Sequence, residues 1–290
     1  MNTPLNIAVA SGKGGTGKTT LSVSLAIALG ESVTLLDCDV EEPNCHIFIK
    51  RNNIGKEKVS VLIPKVEKTR CNKCGNCAKI CRYNAIVSLP SGPLIFPELC
   101  HSCGGCARIC PTGAITEKKE PIGVIESSLS GNIKFFQGIM HVGKPISPPL
   151  IKAVKMHKSP DHLTIIDCPP GTSCPMITAV KDSDFIILVT EPTPFGLNDL
   201  KLAVETSRKL KIPFAVVLNR SDSGDNRVDE YCKNESIPVL LRIPEMRCIA
   251  EAYSNGKTII DAVPIIRGQL ISLLNDVVSI VKAKGKINAG

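Results

Sequence analysis

Short apolar runs recur along the chain, and most are separated by segments of helical periodicity. Residues 5–10, Leu-Asn-Ile-Ala-Val-Ala, read as a buried strand. A glycine-rich stretch follows, then Leu21–Leu29 with alanine and leucine in helical proportion. Val33–Asp37 is a second strand, ending on a carboxylate. Leu163–Asp167, Phe185–Thr190, Pro213–Asn219 and Ile237–Leu241 are further strand-sized runs rich in β-branched side chains. Helical pattern such as Leu197–Leu210 lies between most of them. Strands alternating with helices predict an α/β domain with a mainly parallel sheet flanked by helices. Near the carboxyl end, apolar residues at 270, 273, 274, 277, 278 and 281 mark one helical face. That face has no Trp or Phe, and its basic residues lie at one end. It reads as a core-packing helix rather than a membrane-surface one.

The rhythm breaks between about residues 60 and 118, where eight of the 14 cysteines lie from Cys71 to Cys110 among Gly, Pro and Asn. The parse is an α/β domain of residues 1–59 and 119–290 interrupted by a cysteine module of residues 60–118. Residues 115–142 read as short strands with Gly and Ser turns. Hydrophobic residues at 43% and charged residues at 21% support a folded core. Aromatics at 3%, with no Trp, argue against a stacking platform for single-stranded nucleic acid. No apolar run is long enough to span a bilayer, and the first residues show no basic-then-apolar leader pattern. The expected location is cytoplasmic, where clustered cysteines bind metal or do redox work rather than form disulfides. The formal charge of +8 would, alone, invite a nucleic-acid or membrane-surface reading.

Ser11-Gly12-Lys13-Gly14-Gly15-Thr16-Gly17-Lys18-Thr19-Thr20 fits G-x-x-x-x-G-K-[ST] after a strand and before a helix. Glycines let successive N–H groups curl toward phosphate oxygens, and the following helix adds its positive end. Lys18 would bridge the β- and γ-phosphates, and the Thr19 hydroxyl would ligate Mg²⁺. The loop carries a second lysine, Lys13. This form resembles the deviant phosphate loop of the MinD/ParA/Mrp family. The resemblance implies that Lys13 reaches a partner's ATP across a homodimer. It implies that Asp39, after Asp37-Cys38, orients water and senses Mg²⁺. Asp167, in Ile165-Ile166-Asp167-Cys168-Pro169-Pro170-Gly171, would hold Mg²⁺ through water, and Asn219 would bind the adenine edge.

Cys71-x-x-Cys74-x-x-Cys77-x-x-x-Cys81 and Cys100-x-x-Cys103-x-x-Cys106-x-x-x-Cys110-Pro111 give the bacterial ferredoxin spacing twice. In that pattern the last cysteine of each run crosses to the other cluster. One 4Fe–4S centre takes Cys71, Cys74, Cys77 and Cys110; the other takes Cys100, Cys103, Cys106 and Cys81. Arg82 replaces the usual proline after the first run. Zinc is disfavoured, because zinc sites do not need two ordered sets of four. The module resembles a two-cluster ferredoxin inserted into a MinD-type ATPase. An oxidised centre with four thiolates carries about −2, so two lower the formal charge to about +4. Lys65, Lys68, Arg70, Lys73, Lys79, Arg82 and Arg108 lie close to the cysteines and offset that charge.

The first functional expectation is an ATP-hydrolysing dimer that couples nucleotide switching to electron transfer through two clusters toward a redox partner. The alternative is an ATP-dependent scaffold or carrier of Fe–S or another metal cofactor. A positioning ATPase is weaker, because no nucleic-acid or membrane surface is legible. Of the six cysteines outside the module, Cys174 alone has a spacing to Asp167 that suggests a metal role.

Overall fold

A computed structural model describes residues 4–287. It divides into two compact units. The larger comprises the segments up to Lys56, Ile125–Ile139 and from Ile151 on; the smaller comprises Glu57–Val124 and Met140–Leu150.

In chain order the chain forms β1 (Asn6–Ala10), α1 (Lys18–Leu29), β2 (Val33–Asp37) and β3 (Asn52–Val66). Then come α2 (Asn76–Ile80), β4 (Ile86–Leu89), β5 (Gly92–Ile95), α3 (Gly105–Ile109), β6 (Ile115–Ser130) and β7 (Ile133–Met140). The rest is α4 (Pro148–Lys155), β8 (Thr164–Asp167), α5 (Cys174–Val180), β9 (Phe185–Thr190), α6 (Pro194–Lys209), β10 (Phe214–Asn219), α7 (Arg227–Asn234), β11 (Val239–Ile243), α8 (Arg247–Ser254), α9 (Ile259–Ala262) and α10 (Ile266–Ile287).

Nine strands form one sheet in the order β11-β10-β9-β1-β8-β2-β7-β6-β3. The pairs from β11 through β7 are parallel. The buried strands are continuous apolar runs, as strands covered on both faces must be. β1 occupies the middle of the seven parallel strands because Ile7, Ala8, Val9 and Ala10 leave no polar side chain to solvate. On one side of it β8 pairs in turn with β2, which puts Asp37 and Asp167 in register at the same level. The carboxyl ends of five strands thus meet where ligands bind in open parallel sheets. One core cluster joins Leu21 and Leu25 of α1, Ile165 and Ile187 of the sheet, and Leu270, Leu273, Leu274 and Val277 of α10. The apolar stripe near the carboxyl end therefore packs inward. No helix among the described residues is long and apolar enough to cross a membrane.

Two expectations need correction. Residues 115–142 form one strand of 16 residues and one of eight, not a set of short strands. Gly131, with φ +57°, turns the chain between them. The 15-residue β3 has no counterpart in the sequence reading. It lies at the sheet's end, and Lys56, Glu57 and Lys58 break its apolar pattern as charges do on edge strands.

The smaller unit repeats itself. Lys73 and Ser102, Gly75 and Gly104, and Asn84 and Gly113 occupy matching places in the two cysteine runs, and all six have φ between +53° and +75°. α2 and α3 are single turns, each starting after one of these glycines. The β4–β5 hairpin is antiparallel. The small core is Cys77, Ile86 and Ile115, with Val66, Ala78, Cys81, Ile95, Cys106 and Cys110 against it.

Candidate nucleotide site and cysteine cavities

The glycine-rich segment forms the turn from β1 into α1. Gly15 (φ +76°) and Gly17 (φ +94°) take left-handed backbone that a β-carbon would strain. A β-carbon on Gly17 would also lie 2.6 Å from Asn219 Nδ2. One on Gly12 would overlap the backbone of Asp199. α1 starts at Lys18 with no side-chain cap and no acidic residue in its first turn. Its first N–H groups and the helix dipole are left for an anion. Gly14, Gly15, Gly17, Lys18, Thr19 and Thr20 line a cleft of about 420 Å³, together with Asp39, Asn44, Asn219, Arg220, Glu245 and Tyr253. The Thr16 hydroxyl and the Asn44 side-chain carbonyl are buried without a partner.

Around Thr19 the acidic groups converge. Thr19 Oγ1 donates to Asp167 Oδ2 at 2.7 Å, and Ser22 Oγ donates to Asp167 Oδ1 at 2.9 Å. Cys45 Sγ donates to Asp167 Oδ2 at 3.4 Å. Ligand atoms of Asp37, Cys45 and Asp167 all lie within 4.8 Å of one another. Asp37, however, is spent on the backbone: it accepts from the N–H groups of Asp39, Asn44 and Cys45 at 3.0–3.1 Å. It thereby shapes the loop that presents Asp39. Burial, then the Asp167 charge, holds the Asp37 carboxyl well above the usual range. Burial also raises Asp167, against hydrogen bonds from Thr19 and Ser22 and the charge of Lys18. Asp39 is pushed up to about 7 by burial and then by Asp167, with Lys18 opposing.

Lys13 and Asn219 make contacts that the sequence did not disclose. Lys13 Nζ lies 3.2 Å from Glu191 Oε2 of its own chain. Asn219 Nδ2 donates to the Thr16 carbonyl at 2.9 Å, which ties the end of β10 to the phosphate loop. Glu191, Arg220, Asp37, Ser22 and Cys45 received no role from the sequence. Asp37 was visible as a strand-end carboxylate, whereas Glu191 follows β9 in an ordinary Thr-Glu-Pro turn.

The eight module cysteines fall into two groups. One small cavity is lined by Cys71, Cys74, Cys77 and Cys110, with Gly75 and Asn76. Another is lined by Cys81, Cys100, Cys103 and Cys106, with Gly104 and Gly105. Ser102 N donates to Cys100 Sγ at 3.4 Å, and Ala114 N donates to Cys110 Sγ at 3.3 Å. Burial pushes the Cys106 thiol up to about 11 and raises Cys77 and Cys100. At Cys110 burial also acts upward, but hydrogen bonds from Thr112, Ala114 and Ile115 bring the thiol down. Outside the module, Cys38, Cys45, Cys168 and Cys232 are buried; Cys174 and Cys248 are exposed.

A parallel sheet with an uncapped helix after a glycine-rich turn, and a strand-end carboxylate on the first helical threonine, defines a P-loop nucleotide-binding protein. The chain belongs to the CobQ/CobB/MinD/ParA nucleotide-binding domain family, whose model matches residues 7–259. An uncharacterised protein of Methanocaldococcus jannaschii is 31% identical over 258 residues, 87% of this chain and 93% of that one. A protein of Aquifex aeolicus named iron-sulfur cluster carrier protein is 26% identical over 280 residues. That match covers 89% of this chain and 62% of the relative. The septum site-determining protein MinD of Pyrococcus horikoshii, solved with Mg-ADP, has a TM-score of 0.57 at 20% identity, covering 94% and 95% of the two chains.

Proposed function

We propose that this chain is an ATP-dependent carrier or scaffold for iron–sulfur or related metal cofactors, with ATP bound in the larger unit and two 4Fe–4S centres held by the smaller one. The observation that carries it is the sorting of eight cysteines into two cavities of four within one unit of a P-loop chain. The carrier name of the Aquifex aeolicus relative favours cofactor delivery over the electron-transfer reading.

The residues fit the groups assigned to them. Thiolates are soft donors suited to Fe–S centres. Left-handed residues turn the backbone at matching places in both runs, and in the second the N–H groups of Ser102 and Ala114 already point at the Cys100 and Cys110 sulfurs, the concave arrangement that Fe–S sites use. Mg-ATP fits the other site: the loop N–H groups and Lys18 would take phosphates, Thr19 with Asp167 and Asp39 would hold Mg²⁺, and Asn219 would meet the base. The magnesium ion would supply charge neutralisation at the phosphates. Lys13 would act on the nucleotide of a second copy, making the working unit a homodimer that hydrolyses ATP. Electron transfer through the same two centres to a redox partner is the second reading, favoured by the completeness of both cysteine sets.

Anaerobically reconstituted protein should bind about eight iron atoms per chain. It should activate an apo-acceptor enzyme faster with Mg-ATP than without, and Lys18→Ala should abolish the ATP effect. Retention of all iron, with no ATP-dependent activation, would sink delivery. ATP-dependent reduction of an added electron acceptor would then favour the second reading.

A further inference from the structure

Glu191 is a buried carboxylate that serves two cations. Its side chain is 9% exposed. One oxygen lies 3.2 Å from Lys13 Nζ, and the other lies 3.1 Å from Arg220 Nη1. Lys13 belongs to the phosphate loop. Arg220 follows Asn219 in the cleft wall, in a left-handed conformation with φ +50°. The carboxylate therefore bridges two walls of the nucleotide cleft.

Its own position is fixed by backbone. Thr193 N donates to the Glu191 carbonyl at 2.8 Å, and the Thr193 side chain caps α6 by accepting from Gly196 N at 3.0 Å. A β-carbon on Gly196 would overlap the Glu191 carbonyl, and one on Gly224 would overlap the Pro192 carbonyl. Gly12, next to Lys13, packs on the Asp199 backbone with equally little room. The turn after β9 is thus clamped from both sides, and Glu191 cannot follow a moving lysine. Lys13 can move: its side chain is 34% exposed and ends a flexible four-carbon stem.

We infer that Glu191 parks Lys13 within its own chain and that release of this pair sets the threshold for ATP-dependent pairing of two copies. Breaking a buried ion pair normally strands a charge at a cost of several kcal/mol. Here the Arg220 guanidinium lies 3.1 Å from the second oxygen, an ion pair without a hydrogen bond, so part of the carboxylate charge stays compensated when Lys13 departs. The nucleotide phosphates of the second copy compete with Glu191 for the same ammonium group. This inference rests on the two-copy role of Lys13 proposed above.

The test compares full-length wild type with Glu191→Gln, nearly isosteric but neutral. Sedimentation is run across protein concentrations with Mg²⁺ and the non-hydrolysable analogue AMPPNP, with Mg-ADP, and without nucleotide. With AMPPNP the dimerisation midpoint of Glu191→Gln should fall about tenfold to a hundredfold, because each of the two copies releases one partly buried pair worth about threefold to tenfold. The other two conditions should not change. Lys13→Ala and the double variant should pair equally poorly, since the gain acts through Lys13. Glu191→Asp keeps the charge but shortens its reach, so its shift should be smaller in the same direction. It also serves if the neutral variant does not fold. An unchanged or higher midpoint in the Glu191 variants, while wild type pairs with AMPPNP, overturns the latch and leaves the proposed function standing. Absence of nucleotide-dependent pairing in wild type overturns the two-copy reading, and the latch with it.

Discussion

A carboxyl group beside a second carboxylate in a half-closed cleft gives up its proton reluctantly. Asp39 holds its proton up to about pH 7 rather than 3.8 because burial and the Asp167 charge oppose ionisation more than Lys18 favours it. Between those values the folded chain binds a proton that the unfolded chain has lost. The Asp39 contribution to stability therefore falls as pH rises from about 4 to about 7 and is flat above. Asp39→Asn removes this titration. The nucleotide-free variant should be more stable than wild type at pH 8, by about 1–3 kcal/mol after allowance for solvent screening, and nearly equal to it at pH 4. Urea melts at the two pH values measure this; an advantage that does not grow with pH would refute the assignment. Thiol chemistry gives a second test. Burial raises the Cys38, Cys45 and Cys168 thiols and pushes Cys232 up to about 11, whereas Cys174 and Cys248 are exposed. Since the thiolate is the nucleophile, iodoacetamide at pH 8 should label Cys174 and Cys248 at least about a hundredfold faster than those four. Peptide mass spectrometry reads the rates. Comparable labelling of Cys168 would mean that β8 opens readily. At this scale the sequence disclosed residue types at fixed spacing, such as Lys18, Thr19 and the eight cysteines. It did not disclose Glu191 or Cys45, whose surroundings are made by strands far apart in the chain.

Elements were legible where one physical cause dominated. β1, β2, β8, β9 and β10 are apolar runs buried on both faces, and their expected and observed bounds agree within one residue. β11 lies two residues beyond its expected start, because the Ile237 N–H is taken by the Cys232 carbonyl before the strand begins. β3 hides, and β6 reads as short strands rather than one long one, because half of each is charged or polar, so neither strict alternation nor a continuous apolar run survives. Beyond the phosphate loop, the turns around the nucleotide cleft were legible only as glycines, without the reason each is needed. Gly224 shows the reason: its Cα lies against the Pro192 carbonyl, which also accepts from Asp225 N at 3.0 Å. Gly224→Ala must separate the turn after β10 from the turn after β9 and lose that hydrogen bond. It should cost about 2–4 kcal/mol, the sum of an overpacking and a hydrogen-bond penalty. The urea midpoint should fall with the slope unchanged. A variant as stable as wild type would show that the two turns are not clamped.

For the whole molecule, the two units differ in what holds them together. The larger has an extended hydrophobic core on its sheet. Beside its cysteines the smaller has a cluster of only Cys77, Ile86 and Ile115, ringed by side chains that include Cys81, Cys106 and Cys110, while Ile63, Ile122 and Leu150 are buried outside that cluster. A core this small supplies little of the free energy needed to order the backbone around it, and small units commonly borrow the remainder from metals. The sequence showed the cysteine-dense part of this unit. It did not show that Met140–Leu150 belongs with it, because that stretch has no cysteine and lies outside the expected module of residues 60–118. In the structure His141 N donates to the Ile122 carbonyl at 2.9 Å, and Lys144 pairs with Glu120 at 2.7 Å. Removing iron with a chelator and a mild oxidant should therefore act on one unit only. Backbone amides within residues 66–115 should exchange with deuterium about ten to a hundred times faster than in the iron-loaded protein, as expected when local opening costs about 1–3 kcal/mol less. Amides of β1, β8 and β9 should keep their protection, and nucleotide should still bind. Equal exchange in the two states would mean that the small core is self-sufficient and the cysteines contribute only ligation. Loss of protection in both units would mean that the nucleotide-binding fold itself depends on the iron.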